Sequence, residues 1–146
     1  MLLIFTLLVA YQLKHYFADY PLQGRYMLGK FKPWPECIMP LAAHAGVHAL
    51  FTSVFVWLLN DRMGLIFGLS LFDFIVHFTM DFVKANPNLL GRFKPLYGEA
   101  FIRAVETNDR SKLKSNTLFW WSLGLDQMVH HFTHYVIIYY LVQGKL

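Results

Sequence analysis

Four pairs of polar side chains stand four residues apart in this sequence: His15 and Asp19, His44 and His48, His77 and Asp81, Asp126 and His130. A spacing of four sets both members on one face of a helix, one turn apart. Imidazole and carboxylate together suit Zn, Mn, Fe or Ni. No thiolate accompanies them, which argues against a cysteine-type structural zinc site. Zinc is the first expectation. The ligand set would be His15, Asp19, His44, His48, His77, Asp81, Asp126 and His130. Eight ligands exceed the needs of one ion, so two divalent ions at a separation of about 3.5–4 Å use them better. Such an ion lowers the pKa of a bound water toward about 7 and supplies hydroxide at neutral pH. Asp19, Asp81 and Asp126 are the candidates to bridge the ions or to take the proton as general base. Three carboxylates against two divalent ions leave a small positive charge, which a hydroxide or an anionic substrate would neutralise.

The segments that must position these pairs are apolar. Helices are expected at about 2–18, 38–59, 64–84 and 116–143. Each is near the ~20 residues that cross a ~30 Å hydrocarbon core. Pro21 stops the first, Pro40 is tolerable in the first turn of the second, and "KANPN" follows the third. The second and third are joined only by "NDR", which makes them a tight antiparallel hairpin. The expected fold is all-α: an integral membrane four-helix bundle forming a single domain over 1–146. In an up-down bundle all four pairs fall toward one end, and bundles commonly build metal sites from facing helices. Ionisable groups inside membrane helices are costly and mark functional sites by default.

The 146 residues are 56% apolar, 18% aromatic and only 15% charged. A soluble domain carries about 25% charged residues. The formal charge is +4, and eleven of the thirteen lysines and arginines fall in residues 14–32 and 84–114. The two basic connections lie on one side, which the positive-inside rule makes cytoplasmic, in a multi-pass protein of a bacterial inner membrane. The N-terminal "MLLIFTLLVAYQL" lacks the basic region and the cleavage site of a signal peptide, and reads as a mature helix. Cys37 is the only cysteine, so no intramolecular disulfide exists. Between the third and fourth helices Tyr97, Phe101, Ile102 and Val105 share one helical face. That pattern is an amphipathic interfacial helix on the membrane surface; packing on the loops satisfies the same pattern.

The remaining polar residues have weaker readings. Asp73, one turn before His77, reads as a polar contact behind the ligands. His131 points about 100° away from His130, toward a neighbour or the interface. His134 shares the stripe of Asp126 and His130 and would extend the site inward. Gln23 and Gln127 are candidate supporting or substrate-binding residues. Lys84, three residues after Asp81, is placed to pair with a substrate anion or to snorkel to the interface.

"HYFADYPLQ", "HAGVH", "HFTMDFVK" and "DQMVHH" together resemble the motif series of a domain-of-unknown-function family of small phage and bacterial inner-membrane proteins. The match falls on His15, Asp19, Leu22 and Gln23, on His44 and His48, on His77, Asp81 and Lys84, and on Asp126, Gln127 and His130. More distantly the pattern is similar to membrane-bound metal-dependent hydrolases. The resemblance implies the site and attaches no reaction to it.

The leading functional expectation is a dinuclear metal-dependent hydrolase acting on a phosphoester or lipid-like substrate at the cytoplasmic face. The basic loops, with Arg25, Lys30, Lys32, Arg92 and Lys94, would attract an anionic phosphorylated substrate; simple topology explains them equally. The alternative is a non-enzymatic, metal-stabilised membrane protein that binds a partner, such as a phage protein acting on a host membrane system. An ion pathway ranks last, because the far half of the bundle is nearly all apolar. No Ser–His–Asp or cysteine nucleophile arrangement and no Gly-rich phosphate loop is present. The lipid bilayer is the expected surrounding and no nucleic-acid partner is expected. Small residues in "GLSLF" and "AAHAG" permit close helix contact within the bundle or between copies of the chain.

Overall fold

The computed structural model describes residues 1–94, 96, 98–109 and 117–143. Six α-helices and no strands occur among them. They are α1 (Leu2–Asp19), α2 (Arg25–Leu28), α3 (Ile38–Leu59), α4 (Met63–Ala85), α5 (Gly98–Glu106) and α6 (Thr117–Gln143). The four long helices stand close to their expected ends. Residue 116, the expected start of the last, lies outside the described residues.

Local chemistry sets the ends. Pro21 disfavours helix at the residue before it, and α1 stops at Asp19. Between α3 and α4 the side-chain oxygen of Asn60 accepts the Arg62 amide at 2.9 Å, a turn that reverses the chain in three residues. Asn86 repeats the device after α4, accepting the Asn88 amide at 2.8 Å, just before Pro87 would break the helix anyway.

α1, α3, α4 and α6 touch in a ring: α1 on α3, α3 on α4, α4 on α6 and α6 on α1. Their shared interior has two zones. At the end formed by Leu7, Val56, Leu69, Ile137, Ile138 and Leu141 it is an apolar core. At the other end the buried residues are lysines, histidines and aspartates. The outside is the reverse. Phe5, Leu13, Leu50, Trp57, Phe67, Ile75, Trp121, Phe132 and Tyr139 are all exposed. Two of the helices, α3 and α4, are long and apolar enough to cross a membrane.

The connections close the polar end. After α2 a short 3₁₀ turn, Gly29–Phe31, packs on α3 and α4; a second, Leu90–Phe93, packs on α4 and α6. Both turns depend on a glycine. A Cβ on Gly29 would lie 2.9 Å from the Pro40 ring, and one on Gly91 would collide with the carbonyl oxygens of Ala85 and Asn86. These close approaches carry Lys30 and Lys94 inward. α5 packs its apolar side on the first connection. Phe101 meets Phe31 at 4.4 Å between ring centroids, and Ile102 is 4% exposed. Lys32 reaches Glu99 at 3.4 Å and Arg25 reaches Glu106 at 3.1 Å. Of the two readings the α5 pattern allows, packing on a loop is therefore the one that accounts for Ile102; Tyr97 lies outside the described residues.

Candidate metal centre

The polar zone is one continuous chamber, and the four spaced pairs all reach it. His15 and Asp19 come from the last turns of α1, His44 and His48 from the first turns of α3. His77 and Asp81 come from the end of α4, Asp126 and His130 from the first half of α6. Three groups of side chains bring ligand atoms within 4.8 Å of one another: His15, His48, His77 and His134; Asp19, His44 and His48; and Asp81, Asp126 and His130.

Asp19 is faced by three imidazoles. Its Oδ1 lies 3.0 Å from His48 Nε2 and 3.4 Å from His44 Nε2, and its Oδ2 lies 3.2 Å from His15 Nε2. No ammonium group lies within ion-pair distance of it among the described residues. At 14% side-chain exposure it is also the most open of these carboxylates. Gln127 fixes His15, accepting from Nε2 at 2.9 Å, and donates to Asp126 at 3.1 Å. Gln23, by contrast, is half-buried and bonds through its backbone to Tyr20.

Asp73 stands behind the imidazoles. His77 Nδ1 donates to the Asp73 backbone carbonyl at 3.0 Å and lies 3.0 Å from its carboxylate. That contact assigns the proton to Nδ1 and leaves the Nε2 lone pair facing the chamber, the way a carboxylate commonly orients a metal-binding histidine. Asp73 also accepts from Thr52 at 2.6 Å and from Lys14 at 2.7 Å. Lys14 in turn lies 3.3 Å from His134 Nε2. His134 thus extends the chamber inward, whereas His131 turns to α1 and meets Gln12 at 3.3 Å.

Among the described residues, seven ring nitrogens on six buried histidines have no hydrogen-bond partner: Nδ1 of His15, His44, His48 and His134, Nε2 of His77, and both of His130. Buried polar atoms are paired in the great majority of cases, because an unpaired one costs the lost hydration. Imidazole nitrogens left this way are the chemical signature of a set that a divalent cation would complete. The chamber residues therefore fit a metal.

The lysines are what the sequence reading missed. Lys84 is buried and does not snorkel. Its ammonium lies 2.6 Å from Asp81 and 2.7 Å from Asp126, bridging two of the expected ligands. Lys30 adds a second cation to Asp81 at 2.7 Å. Lys14, counted by sequence with a basic stretch, is 1% exposed inside the helices. Lys94 is 6% exposed, its Nζ sits over the Phe31 ring at 3.8 Å, and that Nζ has no hydrogen-bond partner among the described residues. Burial pushes its amine well below the usual lysine range and the like charge of Lys84 adds to this; Asp81 opposes it. Burial also lowers Lys30, with Asp81 opposing. Lys30 and Lys94 are therefore not displayed at the surface as loop charges. Lys14 did carry a signal, being an ionisable residue inside an apolar helix next to His15. Lys30 and Lys94 carried none, since their partners are set by the tertiary packing of the connections.

A family model described as "Protein of unknown function (DUF3307)" matches residues 3–145. The chain belongs to this family. No curated protein and no solved structure matches it. The match spans all four spaced pairs, which are the residues on which the resemblance to a domain-of-unknown-function family rests.

Proposed function

We propose that the protein is an integral membrane, metal-dependent hydrolase acting on a phosphoester or lipid-like substrate at the cytoplasmic face of a bacterial inner membrane. The observation that carries this reading is the convergence of Asp19 with the Nε2 atoms of His15, His44 and His48, beside His77, His130 and His134, in a set where each of the six imidazoles keeps at least one ring nitrogen unpartnered among the described residues. Asp19, His44 and His48 would hold the ion, with His15 beside Asp19 to complete the set. When bound, a divalent ion supplies Lewis acidity toward a phosphoryl or acyl oxygen. The chain's own residues do the rest. Asp73 holds His77 in one tautomer, Gln127 orients His15, and Asp19, the most open carboxylate, is placed to take a proton from an attacking water. Because Lys84 already bridges Asp81 and Asp126, a single ion on the imidazole side is better supported than two.

The inverted distribution of polarity supports the membrane placement. Soluble proteins seldom expose contiguous apolar surface of this extent, and here the charged residues of the four long helices, Lys14, Asp19, Asp73, Asp81, Lys84 and Asp126, are buried or nearly so. Arg25 and Arg92 are exposed at the polar end and Lys32 is half-exposed there, so the positive-inside rule puts that end in the cytoplasm. A second reading, a metal-stabilised membrane protein without turnover, is favoured by the near-complete burial of His77, Asp81 and Asp126.

Hydrolysis of phosphomonoester, phosphodiester and phospholipid probes by protein purified in mild detergent separates the two. Turnover that a chelator abolishes, metal restores and Asp19→Ala lowers by about a hundredfold is the expected result. Metal-loaded protein inert toward every probe would move the conclusion to the second reading.

A further inference from the structure

Each buried lysine of the chamber has a carboxylate within ion-pair distance, except one. Lys14 is paired with Asp73, Lys30 with Asp81, and Lys84 with Asp81 and Asp126. Lys94 has none among the described residues. Each carboxylate has an ammonium partner, except Asp19, which is faced by imidazoles. Four lysines and four aspartates are equal in number, but among the described residues Asp19 at one corner has no lysine partner and Lys94 at the other has no carboxylate partner. The Phe31 ring beneath Lys94 offers cation–π attraction but no hydrogen-bond acceptor. Lys30 reaches toward the same ring, 5.7 Å from its centroid. The Lys94 corner is therefore polar, buried, rich in donors and short of acceptors.

We infer that the Lys94 corner, walled by Phe31 and Phe101 and supported by Lys30 and Lys84, is a binding site for the phosphate dianion of a phosphate monoester. As a substrate subsite it rests on the hydrolase reading of this chamber. As an anion site it rests on the lysines alone. A phosphate dianion beside the Lys94 amine would favour its ammonium form, and a divalent ion at Asp19 would add positive charge for the dianion to offset. An ammonium group beside phosphate is a common point-charge contact. The phosphate chemistry has two sources, a soluble ester or a phosphatidic-acid-like lipid headgroup.

Calorimetric titration of metal-loaded protein with inorganic phosphate and with short-chain phosphatidic acid tests this. Chloride at matched ionic strength is the blank. The variants are Lys94→Met, and Arg62→Met as an exposed basic residue in the turn between α3 and α4. Elemental analysis of each sample reports its metal separately. Saturable binding of either probe, weakened at least tenfold in Lys94→Met and unchanged in Arg62→Met, is expected. Response to phosphatidic acid alone assigns the lipid source, and response to phosphate alone the soluble one. Wild-type protein that holds metal but binds neither probe overturns the anion site while leaving the metal centre standing. Protein without metal overturns the hydrolase reading, and its Lys94-dependent binding, present or absent, still decides the site. Should Lys94→Met fail to fold, a rise in the melting temperature of wild type with phosphate and not with chloride carries the test; no rise overturns it.

Discussion

The two corners of the chamber handle buried charge in opposite ways. At Asp19 a carboxylate is faced by three imidazoles. At Lys94 a buried amine rests on an aromatic face with no acceptor among the described residues. Between them Lys30, Lys84, Asp81 and Asp126 form an ion-pair network, which His44 joins to the Asp19 corner at 3.2 Å from Asp81. Breaking a buried pair strands a charge and is strongly destabilising, whereas a matched network can be neutral in energy. On the proposed reading the middle of the chamber is structural, and the corners would take a cation at one and an anion at the other.

The largest test of that division is Asp81→Ala. It removes the carboxylate shared by Lys30 and Lys84 and should cost about 3–5 kcal/mol, read as a lower melting temperature in detergent. Lys94→Met, which removes a buried amine without an acceptor among the described residues, should leave stability within about 0.5 kcal/mol or raise it. Equal losses from the two substitutions would erase the distinction between middle and corner.

The next test compares inside with outside. Ile75 is 52% exposed on α4, on the turn between the buried Asp73 and His77. If its face meets lipid, Ile75→Lys should cost about 2.5–3.5 kcal/mol of insertion, seen as a reduced yield in the membrane fraction. A change within about 0.5 kcal/mol, the usual size for a water-facing surface substitution, would contradict the membrane placement.

The four long helices and the end at which the pairs meet were legible in the sequence, because both follow from apolar length and a spacing of four. Asp73 was legible too, one turn behind His77. The lysines were not. A lysine near the end of an apolar segment reads as a snorkelling or loop charge, and Lys84 and Lys30 are bound by partners 42 and 51 residues away. That blindness matters for the chemistry. The expectation of two ions assumed three free carboxylates, and two of them are already held by ammonium groups. The α5 pattern was visible, but the choice between lipid and protein for its apolar face was not. That choice depends on Phe31, which only the packed connection brings to Phe101.

The central claim is that the imidazole corner, and not the lysine network, is the seat of a metal. Elemental analysis of protein purified in mild detergent, compared among wild type, His48→Ala and Lys84→Met, tests it most directly. The predicted result is about one transition-metal ion per chain in wild type, lost in His48→Ala and kept in Lys84→Met. No ion in wild type, or an ion that survives His48→Ala and disappears in Lys84→Met, would contradict it.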